Sequence, residues 1–482
     1  MLYKLISDCI GIIPFCILVA TASSFAGEQI SKFLHSVSGW RKMLMFSMIA
    51  SLFFIPPMAV GSFWAALSYH LLKHPLLNTL FYSLLLSVKL LPVSVMVFYF
   101  VPVSVTRQAR HCMNLSGISS GTARKMRYQL AKSAWKAFAA SALVTFLLSF
   151  SDFELASFLS VKHWTVALFD LNAGGLPVLE SVKLCIFPVA IELALIIGFI
   201  FLYRDEKWLK SNDAGEKEFS KSITVRNFSW SVTLCGTALL FAIPLLTLVR
   251  SGIHGLPLVF DGTWFFKETI TSLCFGLISA LAAFYVSGLV FRRSCHGTPT
   301  PLTCTVILLL MIPGLTGALP LALTSLFIFQ MPVLVFLRDT PVPLLVAATL
   351  FQLPYAFFLR YAFSSMIPDE SVFIANSMID SPTTREDAVK IVWTLKYAVS
   401  LMIFFIIFIA SYFDITLSSV LTPPRMPTIF TRLYNLLHYG QNTKLSATVL
   451  LSVLVPAIVL LVSATASRLV VPIFSHPQHL QD

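Results

Sequence analysis

Apolar blocks recur along almost the whole chain, each close to the roughly 20 residues that a helix needs to cross a hydrocarbon core. No other feature restricts the fold as strongly. Strand-length alternation of the kind a membrane β-barrel needs is absent. In lipid every backbone N–H and C=O must be satisfied internally, which leaves helices. Composition agrees, since 57% of the 482 residues are hydrophobic and 12% charged, against about 45–50% and about 25% in soluble domains. The expected fold class is an all-α integral membrane protein.

The blocks place spans near 5–25, 42–66, 79–103, 137–156, 183–203, 229–250, 268–291, 301–323, 342–363, 393–414 and 446–468, eleven in all. The apolar stretch 324–337 is short and reads as a re-entrant or interfacial piece, with a twelfth span as the alternative. Near the start, Lys4 precedes an apolar run to about Gly27 with no small-residue cleavage site, so the first block reads as a retained span. The alternating loops 26–42, 104–136, 204–228, 292–300 and 360–396, with the C-terminal tail, carry 23 of the 34 Lys and Arg residues. Cytoplasmic loops are enriched in these residues, which predicts the N-terminus outside and the C-terminus in the cytoplasm. This asymmetry accounts for the net charge of +12 without nucleic acid. The eight cysteines form no C-x-x-C pair and read as small apolar residues or reduced thiols.

An internal repeat divides the chain. At a fixed offset of 262 residues Pro92 matches Pro354, Tyr99 matches Tyr361, Asn114 matches Asn376 and Ser119 matches Ser381. Ser149 then matches Ser411, Asp152 matches Asp414, and Leu155, Ser157 and Leu159 match Leu417, Ser419 and Leu421. Pro57-x-x-x-Gly61 resembles Pro313-x-x-x-Gly317 at a slightly different offset. Matching loops fall on the same side, so the repeat is parallel, and parallel repeats are related by an axis along the membrane normal. The expected organisation is a first half, 1–203, with five spans, a charged cytoplasmic linker, 204–228, and a second half, 229–482, with six.

The stretch from Asp414 through Leu417-Ser418-Ser419-Val420-Leu421-Thr422-Pro423-Pro424 to Thr428, followed by Arg432-Leu433-Tyr434-Asn435-Leu436-Leu437-His438-Tyr439-Gly440, resembles the last periplasmic loop of binding-protein-dependent ABC importer permeases. The fused two-half permeases of the ferric-iron and thiamine type are the nearest in pattern. Glu154-Leu155-Ala156-Ser157-Phe158-Leu159 is a weaker copy in the first half. The resemblance implies a bacterial inner-membrane permease subunit, cytoplasmic ATP-binding subunits, a periplasmic solute-binding protein and a small solute such as ferric iron or thiamine. It also implies a coupling loop in each half, of pattern E-A-A-x-x-x-G. The matching positions are His111-Cys112-Met113 with Gly117, near Asn114, and Phe373-Ile374-Ala375 with Ile379, near Asn376. Only Gly117 and Ala375 keep the family residue. The chain has no G-x-x-x-x-G-K-[ST] loop, so ATP would act through a separate subunit and no cofactor is expected on this chain.

Charged groups inside spans are costly and face protein or water. Lys89 is either a gate or counter-charge on a translocation path, or a structural lysine that snorkels or pairs. Glu192 is either its partner or a cavity residue, or an interhelical strut. Asp152, Glu154 and Asp414 sit at the ends of repeat-related spans, where they either meet a cationic substrate or cap helices. Pro92 and Pro354 read as hinges or as ordinary kinks. Pro57-x-x-x-Gly61 and Pro313-x-x-x-Gly317 read as small, close-packing surfaces. His111-Cys112-Met113 are adjacent and cannot converge on one metal ion. An ATP-driven permease is thus set against a secondary transporter using the buried charges, a diverged non-transporting relative and, more remotely, a membrane enzyme.

Overall fold

The computed structural model describes residues 1–100, 120–203, 223–261, 263–295, 301–364, 373–374, 377–378, 388 and 391–475. Among them every regular element is helical. In chain order these are α1 (Leu2–Ser36), α2 (Trp40–Phe54), α3 (Pro57–Leu71), α4 (Pro75–Phe100), α5 (Ser120–Phe150), the short α6 (Glu154–Phe158), α7 (Trp164–Ala173) and α8 (Val178–Tyr203). Then come α9 (Ile223–Thr237), which runs through a π turn at Ala238–Ala242 into α10 (Ile243–Phe260), α11 (Trp264–Cys295), α12 (Pro301–Leu315), α13 (Ala318–Phe329), α14 (Val342–Ser364), α15 (Val399–Tyr412), α16 (Ile415–Leu421), α17 (Ile429–His438) and α18 (Asn442–Ser475).

Among the described residues seven helices are long and apolar enough to cross a membrane, or up to ten if each bent pair is one span. Their outward faces carry exposed Leu84, Ile186, Phe201, Leu246, Leu281 and Leu461, a surface that lipid and not water can cover. The protein is therefore a multi-pass α-helical membrane protein.

Four of the expected spans are bent or interrupted. The stretch expected at 42–66 is α2 and α3, bent by 75° at Ile55-Pro56. Pro56 lacks the N–H needed to continue α2, and Pro57 occupies the first turn of α3, where no donor is needed. The stretch expected at 301–323 is α12 and α13, bent by 117° at Thr316-Gly317. Gly317 there has φ +91, a conformation open to glycine and strained for other residues. α13 runs on through much of the short apolar stretch 324–337 to Phe329. The stretch expected at 393–414 continues through a 51° bend at Phe413-Asp414 into α16. The stretch expected at 137–156 likewise ends its helix at Phe150 and restarts as α6.

Packing repeats. α1 lies along α4 and α5, which pack on each other; α11 lies along α14 and α15, which also pack on each other. The short α6 rests on α3, and α16 rests on α13. Without a hydrophobic drive between helices in lipid, such contacts rest on close fit and polar pairs. Ser24 and Ser141 are 2.9 Å apart between α1 and α5, and Ser279 and Ser411 are 2.5 Å apart between α11 and α15. A Cβ on Gly61 would meet Phe158 at 2.5 Å, so the first Pro-x-x-x-Gly motif does mark a tight contact, between α3 and α6. α9 and α10 have no counterpart in this scheme; α9 packs on α1 and α2, and α10 along α18.

Candidate functional site at the paired helix breaks

The breaks after α5 and after α15 meet inside the molecule. Residues 151–154 end the first helix, residues 413–414 the second, and the two are joined by a bond between halves: the Ile415 N–H donates to Glu154 Oε1 at 3.0 Å. Ser151 also packs so close to Gly317 that a Cβ there would lie 2.5 Å from its own. Asp152, Glu154 and Asp414 are thus brought together, with Glu154 in electrostatic range of both aspartates. Large buried side chains wall the region, with Phe150 against Trp164 (5.6 Å) and Tyr412 edge-on to Phe430 (5.1 Å).

Each aspartate caps the helix that follows it. Asp152 Oδ2 accepts the Ala156 N–H at 3.0 Å, and Asp414 Oδ1 accepts the Leu417 N–H at 2.9 Å. Both satisfy donors left over in a first helical turn. Around the first break most other polar groups are also partnered, His163 Nε2 being the exception. The Tyr82 phenol donates to Asp152 Oδ2 at 3.0 Å, Trp164 Nε1 donates to the Phe150 carbonyl at 2.7 Å, and Thr165 Oγ1 donates to the Asp152 carbonyl at 2.7 Å. His163 caps α7, its Nδ1 accepting from the Thr165 N–H at 3.3 Å. Burial pushes its imidazole down to about 3, so the ring is neutral at physiological pH.

The second break is less complete. Asp414 is 8% exposed, yet its Oδ2 has no hydrogen-bond partner. It lines a cavity of about 20 Å³ with Ser279, Ser411, Ser418, Leu344 and Tyr412.

Lys89 is engaged by backbone carbonyls. Its Nζ donates to the carbonyls of Leu52 (3.0 Å), Phe53 (2.9 Å) and Ile55. These belong to the last turn of α2 and its cap, where carbonyls lack intrahelical partners and a cation meets the negative end of the helix dipole. The ammonium also faces Glu154 and Asp152. Lys89 therefore closes the α2–α3 break, and the pairing with Glu192 is not formed. Glu192, on α8, is fully buried with neither carboxyl oxygen hydrogen-bonded, in range of Cys9, Cys16 and Cys185.

The sequence motif 432–440 falls mainly on α17, an amphipathic helix that buries Phe430, Leu433 and Leu436. Arg432 donates from Nη2 to Glu268 Oε1 at 2.6 Å and from Nε to both carboxylate oxygens at 3.2 Å, and lies 5.1 Å from the Trp264 ring. The Glu268 hydrogen bonds hold its guanidinium above the usual range. Burial, helped by Asp170, pushes the Tyr434 phenol up to about 12, and its ring packs edge-on against Phe169. This motif is an anchor between α17 and α11.

Of the coupling-loop candidates, His111, Asn114, Gly117, Ala375, Asn376 and Ile379 lie outside the described residues; Phe373 is exposed. Among the described residues no three His, Cys, Asp or Glu side chains converge as a metal cluster. Sequence reading missed Tyr82, His163, Trp164 and Thr165. The signal for Tyr82 was available, because the offset of 262 pairs it with Leu344, the residue beside Asp414.

No family model, curated protein or solved structure matches the chain.

Proposed function

We propose that this chain is the membrane-spanning permease subunit of an ATP-driven importer for a small solute. In this reading two parallel-repeat halves, 1–203 and 229–482, contribute five and six spans, with the apolar stretch Trp135–Phe150 of α5 completing the eleven. The observation that carries it is the meeting of repeat-related helix breaks at one inter-half contact, Glu154 to Ile415, flanked by Asp152 and Asp414. Broken helices at a repeat interface form substrate and ion sites in transporters, and one half rocking against the other opens such a site alternately to each side. The permease-like motif at 414–440 adds the class of importer, with ferric iron and thiamine as the substrates it suggests. With no phosphate-binding loop on the chain, ATP would be hydrolysed by a separate subunit docking on 104–136 and 364–392, and solute would arrive on a periplasmic binding protein.

A mild-detergent pull-down of the tagged protein from native membranes, with mass spectrometry and an ATPase assay, tests this reading. A nucleotide-binding subunit should co-purify, and its capture should fall when Gly117 or the 373–379 segment is altered. An intact, abundant chain that captures no ATPase would refute it.

A second reading rests on Glu192. A buried carboxyl with no hydrogen-bond partner is costly, and such groups relay protons in secondary transporters. Uptake that is insensitive to ATP depletion and abolished by an ionophore, and by Glu192→Gln, would favour it.

A further inference from the structure

The two breaks use the same aspartate and surround it differently. In the first, Ser149 lies within hydrogen-bond reach of the Cys16 thiol, and the Tyr82 phenol donates to Asp152 Oδ2. In the second, the matching Ser411 meets a hydroxyl, Ser279, at 2.5 Å, and the position matching Tyr82 is Leu344. Leucine is shorter than tyrosine and has no donor. Space is left where the phenol would lie, and Asp414 Oδ2 keeps a lone pair with nothing to receive it.

That space has a definite chemistry. Its volume of about 20 Å³ passes the roughly 10–15 Å³ needed for one water-sized occupant. Its side-chain polar lining is oxygen: the Asp414 carboxylate and the hydroxyls of Ser272, Ser279, Ser411, Tyr412, Ser418 and Thr428. No Lys, Arg, His, Asn or Gln side chain lines it, so it contains no side-chain nitrogen donor for the carboxylate. Lys89 is engaged by the α2 carbonyls, and Glu154, the other acid facing Asp414, is engaged by Ile415. Among the described residues the phenols of Tyr355, in electrostatic range, and Tyr412, on the cavity wall, are the other titratable neighbours. Oxygen-only sites suit hard cations. A single carboxylate charge in a one-water volume matches a small monovalent ion.

We infer that the Asp414 cavity is a built site for one dehydrated Na⁺, held by Asp414 Oδ2 with the Ser279, Ser411 and Ser418 hydroxyls, and that Tyr82 closes the corresponding space in the first half. The inference does not depend on the importer reading, because ion binding here requires neither an ATPase nor a solute.

Thermal unfolding of the purified full-length protein in detergent tests it, with NaCl, KCl or choline chloride titrated at constant ionic strength. A ligand that binds only the native state raises the melting temperature with its own concentration. The expected result is a saturable rise with NaCl, a weaker one with KCl and none with choline chloride. Leu344→Tyr should refill the space with a phenol, giving a chain that folds, melts higher without Na⁺ and no longer responds to it. Ser279→Cys should leave the chain folded and shift the Na⁺ midpoint upward at least tenfold, because a thiol replaces a hard oxygen. Superimposed titrations in the three salts for the unaltered protein would overturn the inference, leaving the cavity to water. So would an unchanged Na⁺ response in a folded Leu344→Tyr protein.

Discussion

The first and second halves solve the same problem, how to interrupt a helix inside a membrane, by different chemistry. At the α2–α3 break the first half spends a lysine: Lys89 reaches the free carbonyls of Leu52, Phe53 and Ile55. At the α12–α13 break the position matching Lys89 is Phe351, and no charge is used. Instead α12 approaches α14 so closely that a Cβ on Gly314 would lie 2.6 Å from the Leu350 carbonyl and 2.7 Å from Pro354. The first half also ties α6 with a side-chain network in which Ser68 Oγ donates to Asn78 Oδ1 (2.7 Å) and Asn78 Nδ2 donates to the Leu159 carbonyl (2.9 Å). The α2–α3 break is held by hydrogen bonds to named side chains, the α12–α13 break by backbone approach and a glycine turn. Hydrogen bonds between saturated partners resist rearrangement, whereas the break at Asp414, with one carboxylate oxygen unpartnered beside a cavity, has room for a ligand or a motion.

The largest effect should come from removing the lysine. Lys89→Met leaves three carbonyls without a donor, at about 1–3 kcal/mol for each buried group, and the full-length protein should aggregate or melt far below the unaltered chain. The corresponding Phe351→Met change should be mild, and equal effects would break the comparison. Gly314→Val should follow, because its side chain collides with backbone that cannot rotate away. Overpacking of this kind costs about 1–3 kcal/mol, read as a lowered melting temperature.

Tyr82→Phe comes next. It makes the first break resemble the second by removing the donor to Asp152 Oδ2, at about 1–2 kcal/mol. If the phenol closes that site, the variant should also acquire a dependence on salt cations that the unaltered first half lacks. Glu154→Gln should be the smallest change, since the amide oxygen still accepts from Ile415 and the loss stays below about 1 kcal/mol. Glu154→Leu should cost more, and identical melting of the two variants would show that the inter-half bond contributes nothing.

Part of this was legible from residue order. Asp152 and Asp414 stood out because the offset of 262 set two acids at equivalent span ends; each lies at a helix break, with Glu154 in electrostatic range of both. The same offset reaches Tyr82 and Leu344, so the difference between the two sites was readable one helix further upstream. Cys16 and Ser279 were not legible as a pair, because their helices lie outside the aligned stretch. The bends were misread. Pro56-Pro57 and Gly317 were visible as residues, but an apolar run of span length says nothing of direction, and each stretch was expected only as one span. Lys89 illustrates the limit most clearly, because its acceptors are backbone carbonyls 34 to 37 positions away, which no side-chain pattern announces.

Residue order by itself determined the solvent of this protein and the helical answer to it, since apolar runs of span length leave lipid as the only surrounding and helices as the way to satisfy the backbone. It also determined which residues recur. The tertiary structure decided where helices break, which of two repeated aspartates is satisfied, and that Lys89 is a cap while Glu192 stays alone. Those outcomes depend on distances between segments far apart in the chain. Local composition sets the preference of each segment, and only packing sets which donor reaches which acceptor.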